Sequence, residues 1–429
     1  MNFYGWNFAD TMKQKILTIW NTYPRQFWII TFGVLISSSG ASIIWPFQLI
    51  YISQILDKPI STIATLVSIS SLFALIASPL GGTIADLAGR KRLMISAQVI
   101  HGISFLILSQ AHSYFWFFVP MALIGVAMPL FSVGSDAMMA DLVPSDKRSG
   151  AYSILRMFNN TGVAIGPAIG GVLVTQSYQT AFYAAAAGML IFGLYLAIFT
   201  QETLDKSLIQ KETGKADIIE GYLKVIKDKR FDAFVFALAI GVMAPMLLWM
   251  LLALYTKNYF GINEAQYSFI PMTNAIMCVT LQLPVTRLFS RMKPQNTIIV
   301  GMFLYAIGVG SVALMDSFWG FWSSMVLMTF GELTLIPTAT KYIADISPAE
   351  YRGRYMSFYW LAWGISRATA PVLGGALHDY FAPVAIWWGG LALGITSVAL
   401  LTILFNFKQP ATSFNELDQP EPLNWLERF

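Results

Sequence analysis

Apolar residues in this 429-residue chain fall into long runs separated by short polar intervals. A helix needs roughly 20 mostly apolar residues to cross a bilayer. On that basis twelve runs are candidates: 27–53, 60–81, 93–111, 114–140, 150–174, 180–199, 232–256, 266–289, 296–315, 318–343, 354–378 and 383–406. They are about twice as long as a membrane β-strand and lack its alternation, so helices are predicted. Prolines inside the runs (Pro46, Pro129, Pro167, Pro245, Pro337, Pro371) predict bends rather than breaks. The one long polar interval, 200–231, divides the runs six and six. The predicted fold is an all-α membrane protein of twelve transmembrane helices. Its parts are an N-terminal segment 1–26, a six-helix bundle 27–199, a central loop 200–231, a second bundle 232–406 and a tail 407–429. The N-terminal segment lacks a short apolar core with a cleavage site, so it is not a secretory signal. It is compatible with a short surface helix.

Charge sets the orientation. Of 27 Lys and Arg residues, three lie deep inside runs (Arg156, Lys341, Arg367) and two in alternate loops (Lys58, Lys257). The rest gather in the termini, the central loop and the loops after the second, fourth, eighth and tenth runs. Basic loops stay cytoplasmic, so both termini and the central loop are expected there. The 12% charged content is about half that of a soluble domain, in keeping with a membrane-embedded chain. A net charge of +4 gives no reason to expect a nucleic-acid partner. One cysteine, Cys278, excludes an internal disulfide, and the three histidines lack metal spacing, so no metal or cofactor is expected.

The halves are related. Residues 140–171 align without a gap to 344–375, an offset of 204, with nine identities in 32 positions. About two would arise by chance at average residue frequencies. Duplicated membrane halves place a transporter's site between the repeats, near mid-depth.

Between the second and third runs the chain reads GGTIADLAGRKRLM (81–94). This resembles the signature loop of the major facilitator superfamily, with Gly82, Asp86, Gly89, Arg90 and Lys91 at the pattern positions. The resemblance covers nearly the whole chain. It implies two pseudo-symmetric six-helix bundles and a loop that latches the cytoplasmic side in one state. Asp86 would then meet the start of helix 11, and Arg90 would meet Asp141. In the second half Asp345 would meet Arg287 or Arg291. Arg148 and Arg352 are the repeated cations that follow the two acids. GVAIGPAIGG (162–171) resembles the helix-5 motif of drug–proton antiporters, with Gly162, Gly166, Pro167, Gly170 and Gly171. Small residues at that spacing also serve close helix packing. The family's earlier glycine is Ser153 here, and Met121 stands where many relatives carry a coupling arginine in helix 4.

Ionisable residues inside membrane helices are functional candidates. At 1.5 Å per residue, Glu332 lies roughly 20 Å in from Asp345 and Arg367 roughly 22 Å in from Arg352, so the two are expected as partners near mid-depth. Asp136, Arg156 and Lys341 lie roughly 6–12 Å deep. His101 is expected at similar depth as a structural hydrogen-bonding group. The resemblance implies that helices 1, 4, 7 and 10 line a central cavity. Candidates for proton coupling are Glu332, Asp136, Arg367 and Arg156. Candidates for the substrate wall are Trp45, Phe47, Gln48, Met246, Trp249, Met250 and Lys341. No polar cluster indicates a sugar site. The expected activity is secondary transport, with proton-coupled efflux of amphipathic, drug-like compounds by rocking alternating access. The alternative is a symporter or facilitator for a specific metabolite or lipid. No nucleotide loop or catalytic triad indicates an enzyme. A monomer in a bacterial plasma membrane is expected, with protons, a small amphipathic substrate and lipid as partners. The NNT acceptor (159–161) lies inside the fifth run, and no predicted outer loop carries one.

Overall fold

A computed structural model of the chain describes residues 17–144, 147–204, 224–348 and 351–406. Most of the N-terminal segment, most of the central loop and the C-terminal tail therefore lie outside the described residues. The described residues form twelve long helices: α1 Arg25–Leu56, α2 Ile60–Ala88, α3 Arg90–Leu108, α4 Tyr114–Leu142, α5 Arg148–Gln176, α6 Tyr178–Phe199, α7 Lys229–Phe260, α8 Glu264–Phe289, α9 Pro294–Leu314, α10 Phe318–Ile346, α11 Arg352–Tyr380 and α12 Ala385–Asn406. Ten of them are long and apolar enough to cross a membrane. The sequence predicts twelve spans. The two outside that set, α10 and α11, are 29 residues each. They carry Glu332 and Arg367 with many Trp, Ser and Gly residues, which lower their apolar average.

Local sequence explains the breaks. Pro46 lacks a backbone donor, and α1 passes through a 3₁₀ turn at Trp45–Phe47 before resuming. Gly89 has φ +96° and separates α2 from α3, and Gly261 has φ +67° and ends α7. Only glycine holds such angles without strain. Side-chain caps start several helices, for example Asp228 accepting from Phe231 N at 3.0 Å and Asn263 from Gln266 N at 2.9 Å.

Helix packing repeats between the halves. In the first, α1 packs on α5 and α6, α4 on α2 and α3, and α3 on α6. In the second, α7 packs on α11 and α12, α10 on α8 and α9, and α9 on α12. Across the halves, α2 packs on α11 and α5 on α8. The same 204-residue offset appears atom by atom. Arg148 donates to Ala140 O at 2.6 Å and Arg352 to Ala344 O at 3.1 Å. A Cβ on Gly162 would sit 2.8 Å from Leu35 O, and the equivalent Ser366 hydroxyl donates to Ala239 O at 2.7 Å.

The halves meet most closely at the end bearing Asp57. There Gly171 lies against Glu264, Ala265 and Ser268, and its repeat mate Gly375 lies against Ile60 and Ser61. Asp379 accepts from Ser61 N at 2.8 Å and Ile60 N at 3.3 Å, capping α2 from the other half. Tyr178 donates to Glu264, which also pairs with Lys257.

Gly170 and Gly374 are repeat mates with different surroundings. A Cβ at Gly170 would meet Ile43 O at 1.9 Å, whereas one at Gly374 would meet only side-chain ends, Leu251 Cδ1 at 2.4 Å and Leu247 Cδ2 at 2.6 Å. Backbone cannot yield as leucine termini can. Gly170→Ala is expected to destabilise by about 1–3 kcal/mol and Gly374→Ala by clearly less. Thermal unfolding of both purified variants checks this, and equal losses would contradict the packing described.

Candidate functional site

A cavity of about 480 Å³ lies between the halves, at mid-depth and toward the Arg90 end. The repeat offset organises its walls. Trp45 and Trp249 are equivalent, both line it, and their rings lie 5.6 Å apart. The pairs His101 and Tyr305, Met128 and Glu332, Asn159 and Trp363, and Val163 and Arg367 also line it. One frame thus carries two unlike sets of side chains.

Glu332 is half-buried on α10. Its Oε2 accepts from Asn274 Nδ2 at 2.9 Å, and Cys278 Sγ lies 3.9 Å from Oε1. Both partners come from α8. Asn274 also donates to Thr329 Oγ1 at 2.9 Å, which fixes the amide. Arg156, on α5 of the other half, is within electrostatic reach of Glu332 and Cys278. Among the described residues Glu332 is the single acidic side chain in the lining, and Arg156 and Arg367 are its two arginines.

The expected Glu332–Arg367 pair is absent among the described residues. The two share a level but not a neighbour, because α10 packs on α8 and α9 whereas α11 packs on α7 and α2. Arg156 is the arginine within electrostatic reach of Glu332, and no ion pair joins the two among the described residues. Asp136 is exposed and outside the lining, with Tyr152 donating to its backbone oxygen at 3.1 Å. Of the substrate-wall candidates, Trp45, Gln48, Met246 and Trp249 line the cavity, and Met250 lines two adjoining voids. Phe47 does not line it. The 3₁₀ turn rotates that side chain into the core against Tyr267, at 6.3 Å between rings. Lys341 is exposed and also outside the lining. Met121, where an arginine is usual in the resembled family, accepts from Gln48 Nε2 at 2.8 Å.

At the Arg90 end, Arg90 forms an ion pair with Asp141. Asp86 is exposed and without a hydrogen bond or ion pair among the described residues. Asp345 likewise pairs with neither Arg287 nor Arg291. Gly82 faces open space. Sequence reasoning passed over Glu202, whose carboxylate accepts from Arg90 N and Lys91 N at 3.1 Å each. That is an anion on the positive end of α3. In the helix-5 motif, Gly162, Gly166 and Gly170 lie against α1, Gly171 against α8, and Pro167 is buried within α5.

Sequence reasoning also passed over the polar wall. Gln98, Asn159, Asn160 and Asn274 reach the cavity from three helices, and His101 lines it beside Phe105. They escaped the sequence reading because each of these helices supplies only one or two such residues. Their common signal is an amide side chain within an apolar run.

The sequence profile of the Major Facilitator Superfamily matches residues 30–332 and 235–428. The chain belongs to the major facilitator superfamily. Members are membrane transporters of small molecules and not enzymes. Among bacterial relatives, a Na(+), Li(+), K(+)/H(+) antiporter of Planococcus maritimus is 26% identical over 83% of this chain and 88% of its own length. Multidrug resistance protein MdtH of Escherichia coli is 24% identical over 79% and 83%. The crystal structure of the nucleoside transporter NupG has the same fold, with TM-score 0.78, 12% identity and coverage of 89% of this chain and all of that one.

Cys278 is the superfamily member's one thiol and part of the cavity wall. A maleimide is expected to couple to it in the native purified protein, close to one equivalent per chain. Mass spectrometry of intact protein checks this. A thiol that reacts only after denaturation would contradict the wall.

Proposed function

We propose that this chain is a twelve-span secondary transporter that exports amphipathic small molecules in exchange for protons, with Glu332 as the proton carrier. The observation that carries the reading is Glu332's position as the sole acid of the cavity among the described residues, held by α8 of its own half and within electrostatic reach of Arg156 of the other. A carboxylate withdrawn from water is costly unless paired or neutralised by a proton. Rocking of the halves changes how close Arg156 comes, and so changes the balance between these two solutions. Asp136, exposed near the Arg90 end, is a relay between Glu332 and bulk water.

The glycine-rich face of α5 and the name of one relative, an antiporter, support exchange, and the name of a second, a multidrug resistance protein, supports amphipathic substrates. The basic loops support cytoplasmic termini, so the cavity of this state faces the cytoplasm of a bacterial plasma membrane. Arg90 with Asp141 braces that end. In the opposite state Asp86 meets the N-terminus of α11, whose dipole favours an anion. Arg148 and Arg352 brace the helix 4–5 and 10–11 corners, and Asp345 gains Arg287 or Arg291 when that end closes. A second reading, a symporter for a polar metabolite, draws on the amides Gln98, Asn159, Asn160 and Asn274.

In proteoliposomes with an entrapped pH dye, substrate addition is expected to move protons in the direction opposite to substrate. Co-directional movement favours symport, and substrate transport without proton movement sinks the coupling. Glu332→Gln is expected to lower proton-driven transport by about a hundredfold while leaving expression intact, since it removes the group on which the proton travels. Wild-type transport in that variant would defeat the assignment. Asp86→Asn is expected to slow turnover by about tenfold with substrate affinity little changed, because it removes a contact of one end state only. Rapid-mixing transport against equilibrium binding separates the two effects.

A further inference from the structure

The cavity holds two arginines and one glutamate. Arginine stays charged in any protein environment. Arg156 has Glu332 within electrostatic reach. Arg367 has no such partner. Among the described residues its guanidinium makes no hydrogen bond or ion pair, and its one contact of this kind is its backbone oxygen, which accepts from Ser71 Oγ at 3.5 Å. Glu332 and Arg367 lie on different walls.

Three further observations surround Arg367. With Trp45, Met128 and Trp249, it lines the main cavity and both voids that adjoin it, and it is the one charged residue of those four. Three indoles, Trp45, Trp249 and Trp363, line the same spaces. The remaining ionisable side chains on the cavity wall are His101 on α3, Cys278 on α8 and Tyr305 on α9, and none supplies a negative charge comparable to a carboxylate. The wall around Arg367 therefore presents an uncompensated cation framed by flat apolar surface. Such a cation is costly away from water until a counter-anion reaches it. A guanidinium takes carboxylate, sulfonate or phosphate oxygens in a two-pronged geometry.

We infer that the transported molecules are amphipathic organic anions, whose acidic head is held by Arg367 and whose aromatic or aliphatic body lies against Trp45, Trp249 and Trp363. This rests on the transport reading above and adds the substrate's charge to it. The indoles contribute stacking and apolar area, while the sign of the charge is set by Arg367. Proton and substrate then occupy separate walls, Glu332 with Asn274 on one side and Arg367 with the tryptophans on the other.

Two xanthene dyes of similar size and opposite charge test this: fluorescein, an anion, and rhodamine 6G, a cation. Their binding to the purified full chain is measured by fluorescence polarisation. Fluorescein is expected to bind at least about tenfold more tightly than rhodamine 6G, as loss of one charge-assisted bidentate contact implies. Arg367→Gln is expected to weaken fluorescein by about tenfold or more, while Arg367→Lys retains part of the affinity because the charge remains. Preference for rhodamine 6G, failure of both dyes to bind, or unchanged fluorescein affinity in an Arg367→Gln protein that unfolds at the wild-type temperature would each overturn the inference. If Arg367→Gln does not fold, the wild-type dye preference and Arg367→Lys decide. Arg367-dependent fluorescein binding without proton movement in vesicles would defeat the coupling and leave the anion site standing. Proton-coupled movement of rhodamine 6G alone would do the reverse.

Discussion

Helix α5 lies against α1 with almost no space between the backbones, and the cavity depends on that contact. Cβ atoms added at Gly162, Gly166 and Gly170 would fall 1.9–2.5 Å from atoms of Ser38, Ser42 and Ile43. These glycines recur every four residues, so they form one stripe. Pinning the stripe to α1 fixes the rotation of α5 about its axis. Arg156, Asn159, Asn160 and Val163 occupy a different face and are thereby turned into the cavity. In the second half Ser366, Ala370 and Gly374 form the equivalent stripe, with Ser366 and Gly374 against α7, and Trp363 and Arg367 are turned inward. In an apolar solvent helices gain little from hydrophobic association, and close backbone approach supplies the dispersion contacts instead. The glycines therefore have a structural role whatever else they do.

The frame is symmetric and the chemistry is not. Where the first half places Met128 and Val163 on the wall, the second places Glu332 and Arg367 at the same register. Duplication explains the register, because helix packing conserves depth and rotation. It does not determine side-chain identity at positions facing a void. The closed end shows the same division. Gly171 and Gly375 make equivalent backbone contacts across the halves, yet the polar links beside them differ: Asp379 caps α2 on one side, and Tyr178 with Lys257 holds Glu264 on the other.

Much of the fold was legible in the sequence because the bilayer demands long apolar helices and penalises charge within them. The runs, the repeat offset, the signature loop and the oddity of Glu332 all follow from that demand. The Arg90–Asp141 pair was also legible, through the loop pattern. What sequence did not supply was azimuth. Rise per residue gives depth along an axis, but the direction a side chain points depends on which neighbours the helix packs against. Phe47 and Lys341 were assigned to the wall on depth and helix number, and both point elsewhere. The 3₁₀ turn at Trp45–Phe47 shifts the phase within three residues, so Trp45 and Gln48 reach the cavity while Phe47 enters the core. The amides escaped notice for a related reason. Each is unremarkable on its own helix, and they converge only when the helices are assembled. Glu202 caps α3 from about 110 residues away, a contact that local pattern reading has no means to find.

The displaced partner of Glu332 bears most on mechanism. A salt bridge to Arg367 would join two helices of the same half, and rigid motion of that half would leave it unchanged. Arg156 belongs to the other half, reached through the contact between α5 and α8. A field that crosses the moving boundary varies with the state of the transporter, and a field within one body does not. Coupling requires the free energy of the protonated carboxyl to differ between states, since a group with equal affinity in both shifts nothing. If Glu332 carries the proton, an arginine across the moving boundary would meet that condition, and one within the same half would not. In the proposed reading Arg367 keeps its surroundings within its own half, as would suit a group that holds the substrate through the motion.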